Sequence, residues 1–76
     1  MQGSGMSINT RFRHAQSKAE AAAIERLLLT FVAPATWKSS GGHGLIGTAD
    51  DRLVIRQTKV VHEQIDRFLR EYQQAS

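Results

Sequence analysis

LIGTADDRLVIRQTKVVHEQIDRFLREY, residues 45–72, holds the pattern that decides the fold. Leu45 to Ala49 and Arg52 to Gln57 are two short runs on either side of Asp50-Asp51, whose short carboxylates favour turns and tolerate unusual dihedrals. They read as a β-hairpin, with Leu53 and Ile55 on one face of its second strand and Arg52, Val54 and Arg56 on the other. From Val61 the period changes. Val61, Ile65, Phe68, Leu69 and Tyr72 recur at i, i+4, i+7, i+8 and i+11, one stripe of a helix that Thr58 can cap. The outer face carries Glu63 with Arg67 and Asp66 with Arg70 at i, i+4, a solvated surface worth about 0.3 kcal/mol per pair.

Ahead of the hairpin, Ser17-x-x-Glu20 has capping-box spacing, so that the serine oxygen accepts an orphan amide and the glutamate reaches back to the cap amide. A helix is expected to begin there, with Ile24, Leu27, Leu28 and Phe31 as its apolar stripe, Ala19 and Ala21 to Ala23 adding propensity, and Pro34 forcing its end. Ile8, Thr10 and Phe12 alternate with Asn9, Arg11 and Arg13, the period-two pattern of a short half-buried strand. Between the helix and the hairpin, Lys38 to Gly44 is a run of turn formers and the one real loop, its glycines expected to permit positive φ where the chain turns. The order is βαββα. Laying both helix stripes on one face of a three-stranded sheet gives an α+β two-layer sandwich, the smallest arrangement that buries both. The other sheet face is left for solvent or a partner.

The chain has 76 residues, no cysteine, 41% hydrophobic and 22% charged residues. That length gives room for one small core and no second domain, and rules out a large enzyme. Without cysteine there is no disulfide framework, no Cys-containing zinc site and no thiol chemistry. Met1 to Met6 is expected to be a leader or tag, or a linker remnant, and residues 7–76 a single module. The longest apolar stretch, Leu27 to Ala35, is broken by Thr30 and Pro34, so neither a signal peptide nor a membrane span is expected in these residues. The net charge of +3 is N-terminal in origin: Arg11, Arg13, Lys18, Arg26 and Lys38 face only Glu20 and Glu25 before residue 45, and charges balance after it.

Chemistry is sparse. His14, His43 and His62 lie in three different elements, without the short paired spacing or i, i+4 placement of zinc ligands. Ser39 and Ser40 lack the strand-to-helix elbow that activates a serine, and adjacent Asp50 and Asp51 point apart. No enzyme activity, cofactor, metal or small-molecule substrate is expected. Gly41-Gly42-His43-Gly44 matches the Gly-x-x-Gly clamp of KH domains, but a strand-like Leu45-Ile46 follows where that clamp needs a helix. Arg11, Arg13, His14 and Lys18 with Phe12 could form a nucleic-acid surface. The competing reading, which we favour, is the charged exposed side of an edge strand.

Pro34-x-x-Trp37, Gly41-Gly42-x-Gly44-x-Ile46 and Leu53-x-Ile55-x-Gln57-Thr58-x-x-Val61-His62-x-x-Ile65-x-x-Phe68-Leu69 together resemble the small modules related to secretin N-terminal domains, including the secretin and TonB N-terminus short domain. The match covers residues 17–72 and is most specific in its C-terminal half. The resemblance implies a βαββα ring-building interaction module, one of several in an envelope-associated protein, with no catalytic residues. The expected function is therefore a non-catalytic protein-interaction or assembly module excised from a larger bacterial protein, secretion-related or in the cell envelope or periplasm. Its partners would be proteins or further copies of itself. The alternative is a small basic nucleic-acid-binding domain using the Arg11 to Lys18 cluster. Arg11, Arg13, Trp37, Arg52, Val54 and Arg56 are the expected interaction surface.

Overall fold

The structure, a computed structural model, describes residues 7–75; the leader expected at residues 1–6 lies outside the described residues. In chain order the elements are β1 (Ile8–His14), α1 (Lys18–Phe31), two short 3-10 turns (Pro34–Thr36 and Lys38–Ser40), β2 (Leu45–Ala49), β3 (Arg52–Thr58) and α2 (Lys59–Ala75). The three strands form one antiparallel sheet in the order β1-β3-β2. This is the expected α+β sandwich of βαββα order. β3 lies at the centre, and β1 and β2 are its two edges.

The alternation in β3 sets the layers. Leu53, Ile55 and Gln57 are buried while Arg52 and Arg56 are exposed and Val54 half-buried, because successive side chains of a strand point to opposite faces. Leu53 and Ile55 join Ala21, Ile24, Leu28 and Val32 from α1 and its end, and Val61, Ile65 and Leu69 from α2, in one core. Both helices therefore lie on one face of the sheet. Burying each of these aliphatic side chains contributes on the order of 2 kcal/mol before chain entropy is set against it.

α1 begins as its sequence requires and turns by a different stripe. The Glu20 amide donates to Ser17 Oγ at 3.0 Å, but the Glu20 carboxylate accepts from the Gln16 amide at 2.7 Å, one residue before the cap. The buried positions are Ala21, Ile24 and Leu28, continued by Val32 beyond the helix. Leu27 is half-buried and Phe31 is 66% exposed. The buried stripe thus runs through Ala21, Ile24 and Leu28, and Phe31 lies outside it. The helix ends before Pro34, and Ala33 takes a left-handed conformation with φ 45°. Pro34 then starts the first 3-10 turn, its missing amide proton being no loss there.

β1 is turned over relative to the expectation. Phe12 pairs with Val54, and Arg11 and Arg13 pair with Ile55 and Leu53; directly paired residues of an antiparallel sheet share a face. Ile8, Thr10 and Phe12 thus point to the open face, with Phe12 64% exposed, and the two arginines point to the helix side. The reason lies in α2. Its flank beside the apolar stripe offers Asp66, whose carboxylate forms an ion pair with Arg13, and the buried His62, whose Nε2 donates to the Asn9 carbonyl at 2.9 Å. A polar helix flank above an edge strand selects the strand's polar side.

Candidate interaction surface

Trp37 is the first correction to the expected surface. It is 1% exposed, and its indole Nε1 donates to the Val32 carbonyl at 2.9 Å. That carbonyl lies just past the end of α1, where helix carbonyls lose their intrahelical partners, so the indole both fills the core and caps the helix. Trp37 cannot meet a partner. It is a structural residue, as are the glycines that follow it.

The segment from Trp37 to Gly44 closes on itself as a small parallel bridge between those two residues. The Gly44 amide donates to the Thr36 carbonyl at 2.8 Å, the Lys38 amide to the Gly44 carbonyl at 2.7 Å, and the Gly42 amide to the Trp37 carbonyl at 3.0 Å. Gly41 alone of these glycines has a positive φ, 95°. Gly42 is needed for another reason: a Cβ there would overlap the Thr36 carbonyl. Gly44 is buried against the side chain of Gln57, and a Cβ would overlap its amide nitrogen. Close approach, rather than left-handed backbone, explains two of the three glycines in this stretch. Trp37, Gly42 and Gly44, together with Gln57, are therefore parts of one interlock holding the end of α1 to the start of β2 and the end of β3.

What the interlock leaves exposed is the sheet face opposite the helices. The registers place side chains there in rows: His14, Arg52 and Ala49; then Phe12, Val54 and Gly47; then Thr10, Arg56 and Leu45; and Ile8 beside Thr58. Phe12 and Leu45 are exposed apolar side chains, and Val54 between them is half-buried. Gly47 has open space where a side chain would stand. Arg52 and Arg56, both exposed, flank the apolar row from two sides, about 7 Å before and after Val54 along the strand. Among the described residues of the three strands, no carboxylate belongs to this face. Arg52, Val54 and Arg56 were legible in the sequence. Leu45 was missed because β2 has no charged residue to show which side faces water, and Phe12 and His14, named only for the alternative basic surface, were not placed on this face because β1 was assigned the opposite one.

The expected basic cluster is divided by the same register. Phe12 and His14 face outward, Arg11 and Arg13 lie on the helix side, and Lys18 begins α1. Arg13 is held by Asp66, and its pKa lies below the usual arginine range because burial disfavours the charge and, second, because Arg11 is nearby. The Asp66 carboxylate thus pairs across to β1, where the i, i+4 spacing had pointed to Arg70.

On the opposite layer, a shallow cleft lies between the end of α1 and α2, lined by Phe31, Ala33, Arg67, Phe68 and Glu71 among others. Phe31 and the half-buried Phe68 give it an apolar floor. Among the described residues no group of three or more His, Asp or Glu side chains is placed to hold a metal ion, and no helix is long and apolar enough to cross a membrane. Comparison of the chain with protein-family models, with curated proteins and with solved structures finds no match.

Proposed function

We propose that this chain is a non-catalytic protein-interaction and assembly module of a larger bacterial protein, of the secretin N-terminal type and associated with the envelope or with secretion. The observation that carries the reading is the uncovered sheet face, with Phe12, Val54 and Leu45 between Arg52 and Arg56. Aromatic residues and arginine are enriched in protein interfaces and lysine is depleted. Both fixed positive charges on this face are arginines, while Lys18, Lys38 and Lys59 lie elsewhere. The occupant that fits is the helix layer of a second copy. Its Phe31 and Phe68 cleft brings apolar surface, and Glu71 on that cleft, beside Arg67, is a carboxylate that one of the two arginines can meet.

Such a contact joins two different surfaces, so it propagates head to tail and closes into a ring or extends as a filament. A single-stranded nucleic acid is the other ligand a basic face suggests, but those platforms stack successive bases on several aromatic rings. Here Phe12 is the one aromatic side chain on the face among the described residues. The test is sedimentation equilibrium of the chain up to about 1 mM, with Val54→Glu and Phe31→Glu variants. Association lost in each variant alone and regained as dimers when the two are mixed supports the head-to-tail contact. A chain that stays monomeric throughout, or that instead binds oligonucleotides with steep salt dependence, overturns it.

A further inference from the structure

The two edges of the sheet are guarded unequally. β1 carries Arg11 and Arg13 within seven residues, the charged pattern that discourages a neighbouring strand. β2, Leu45–Ala49, has no charge, no proline and no positive φ. Its outward backbone groups can be assigned. Gly44 spends both its amide and its carbonyl on the Thr36 to Lys38 segment, away from β3, and the direction of these groups alternates along a strand. Leu45, Gly47 and Ala49 therefore pair with β3, and the amides and carbonyls of Ile46 and Thr48 point out of the sheet with no strand beyond them among the described residues. A two-residue, uncharged, open edge is a template for β-addition.

We infer that this edge pairs antiparallel with the same edge of a second copy about a twofold axis through Gly47. Three features of the molecule specify that occupant. Antiparallel pairing centred on Gly47 sets Ile46 opposite Thr48 of the second copy, and vice versa, which satisfies all the outward groups in a ladder of roughly four backbone hydrogen bonds. It also sets each larger side chain against a smaller one, Leu45 against Ala49 and Ile46 against Thr48, with glycine against glycine at the axis. Finally, it brings the Asp50-Asp51 turn of the second copy to the end of the edge at Gly44, where the Lys38 amide is bonded to the Gly44 carbonyl. The charges of Lys38 and the acidic turn are complementary, and the symmetry makes the contact twice. Because paired residues share a face, both helix layers fall on one side. The two open faces join into a single six-stranded surface. This contact uses neither Phe12, Val54 nor the Phe31 cleft, so it stands apart from the head-to-tail contact proposed above.

The experiment is amide hydrogen exchange by NMR on the full chain at concentrations from tens of micromolar to about 1 mM, with sedimentation velocity on the same samples. The Ile46 and Thr48 amides should exchange fast when dilute and become protected on dimerisation, while the Leu45, Gly47 and Ala49 amides are protected throughout. Thr48→Pro removes an outward amide that the β3 ladder does not use, and should abolish the dimer. Lys38→Glu should weaken it about tenfold, and Lys38→Glu with Asp51→Lys should restore it. That charge pair keeps the test decisive if the proline variant fails to fold. Val54→Glu should leave the edge dimer intact even where it abolishes head-to-tail association. Ile46 and Thr48 amides that exchange at one rate across the whole range, or a dimer indifferent to Thr48→Pro in a folded variant, overturn the inference.

Discussion

The side-chain amide of Gln57 donates to Thr36 Oγ1 at 2.8 Å across 21 residues of chain, and Gly44 lies so close to that amide that no larger residue fits. Thr36 Oγ1 in turn donates to the Ala33 carbonyl at 2.7 Å. One hydroxyl thus links the end of α1, the turn after it and the last turn of the central strand. Buried polar groups linked in this way are sensitive to the loss of any member.

The glycines should separate by environment. Gly42→Ala drives a Cβ into the Thr36 backbone and should destabilise by about 3 kcal/mol, and Gly44→Ala by about 2, since Gln57 is held by its hydrogen bond and must be displaced. Gly47→Ala meets open space in a strand without positive φ and should stabilise by about 0.5 kcal/mol. Urea unfolding followed by circular dichroism measures all three. Equal effects at Gly42 and Gly47 would contradict the close-approach explanation.

Trp37→Phe keeps an aromatic ring in the core and removes the donor to the Val32 carbonyl. The lost bond, the unsatisfied carbonyl and the smaller ring should together destabilise by about 2 kcal/mol, and Trp37→Ala by about 4. Circular dichroism is the readout, because Trp37 is the sole tryptophan. A loss of partner binding in Trp37→Phe without a stability change would return this residue to the surface.

Phe12 and Phe31 look like core residues by type and are mostly exposed. Phe12→Ser and Phe31→Ser should each change the stability of the dilute chain by no more than about 0.5 kcal/mol. Leu28→Ala, in the core, should destabilise by about 3. If Phe12→Ser proves as damaging as Leu28→Ala, the register of β1 is wrong.

Removing Asp66 leaves a half-buried arginine without its counterion. Asp66→Asn should destabilise by about 0.5 kcal/mol, the range of partly exposed pairs, with the effect shrinking in high salt. The lowered pKa of Arg13 means that folding disfavours its charge, so this penalty is present at neutral pH and is relieved only as pH rises through the strongly alkaline range. Replacing both partners, Arg13→Leu with Asp66→Leu, should be near neutral. A double variant less stable than Asp66→Asn by more than about 1 kcal/mol would show that the pair contributes more than its exposure allows.

Legibility in the sequence followed the range of the interactions. β3 and α2 were readable because their side chains repeat with one clear period and the charged positions mark the solvent side. In α1 the boundaries were readable from Ser17, Glu20 and Pro34, but the buried stripe takes in the small Ala21 and leaves out Phe31, which the apolar spacing had not shown. Of the expected surface residues, Arg52, Val54 and Arg56 share the open face, Arg11 and Arg13 lie on the other side of the sheet, and Trp37 is interior. The missing signal for β1 was present elsewhere: His62 and Asp66 are spaced i, i+4, one position beyond the Val61, Ile65 and Leu69 stripe. That spacing marks a polar flank beside an apolar seam.

By itself the sequence determined the element order, the inward side of the central strand and the buried stripe of the last helix, since periodicity, caps and turn residues act over a few positions. Which way β1 faces was decided only in the folded molecule. A strand that alternates Phe and Arg has two usable sides, and the choice depends on what packs above it, here Asp66 and His62 from the far end of the chain. The same holds for Trp37 and Gly44, whose roles rest on a carbonyl in one element and an amide in another. The face is open because both helices lie on one side of the three strands and, among the described residues, no element covers the other.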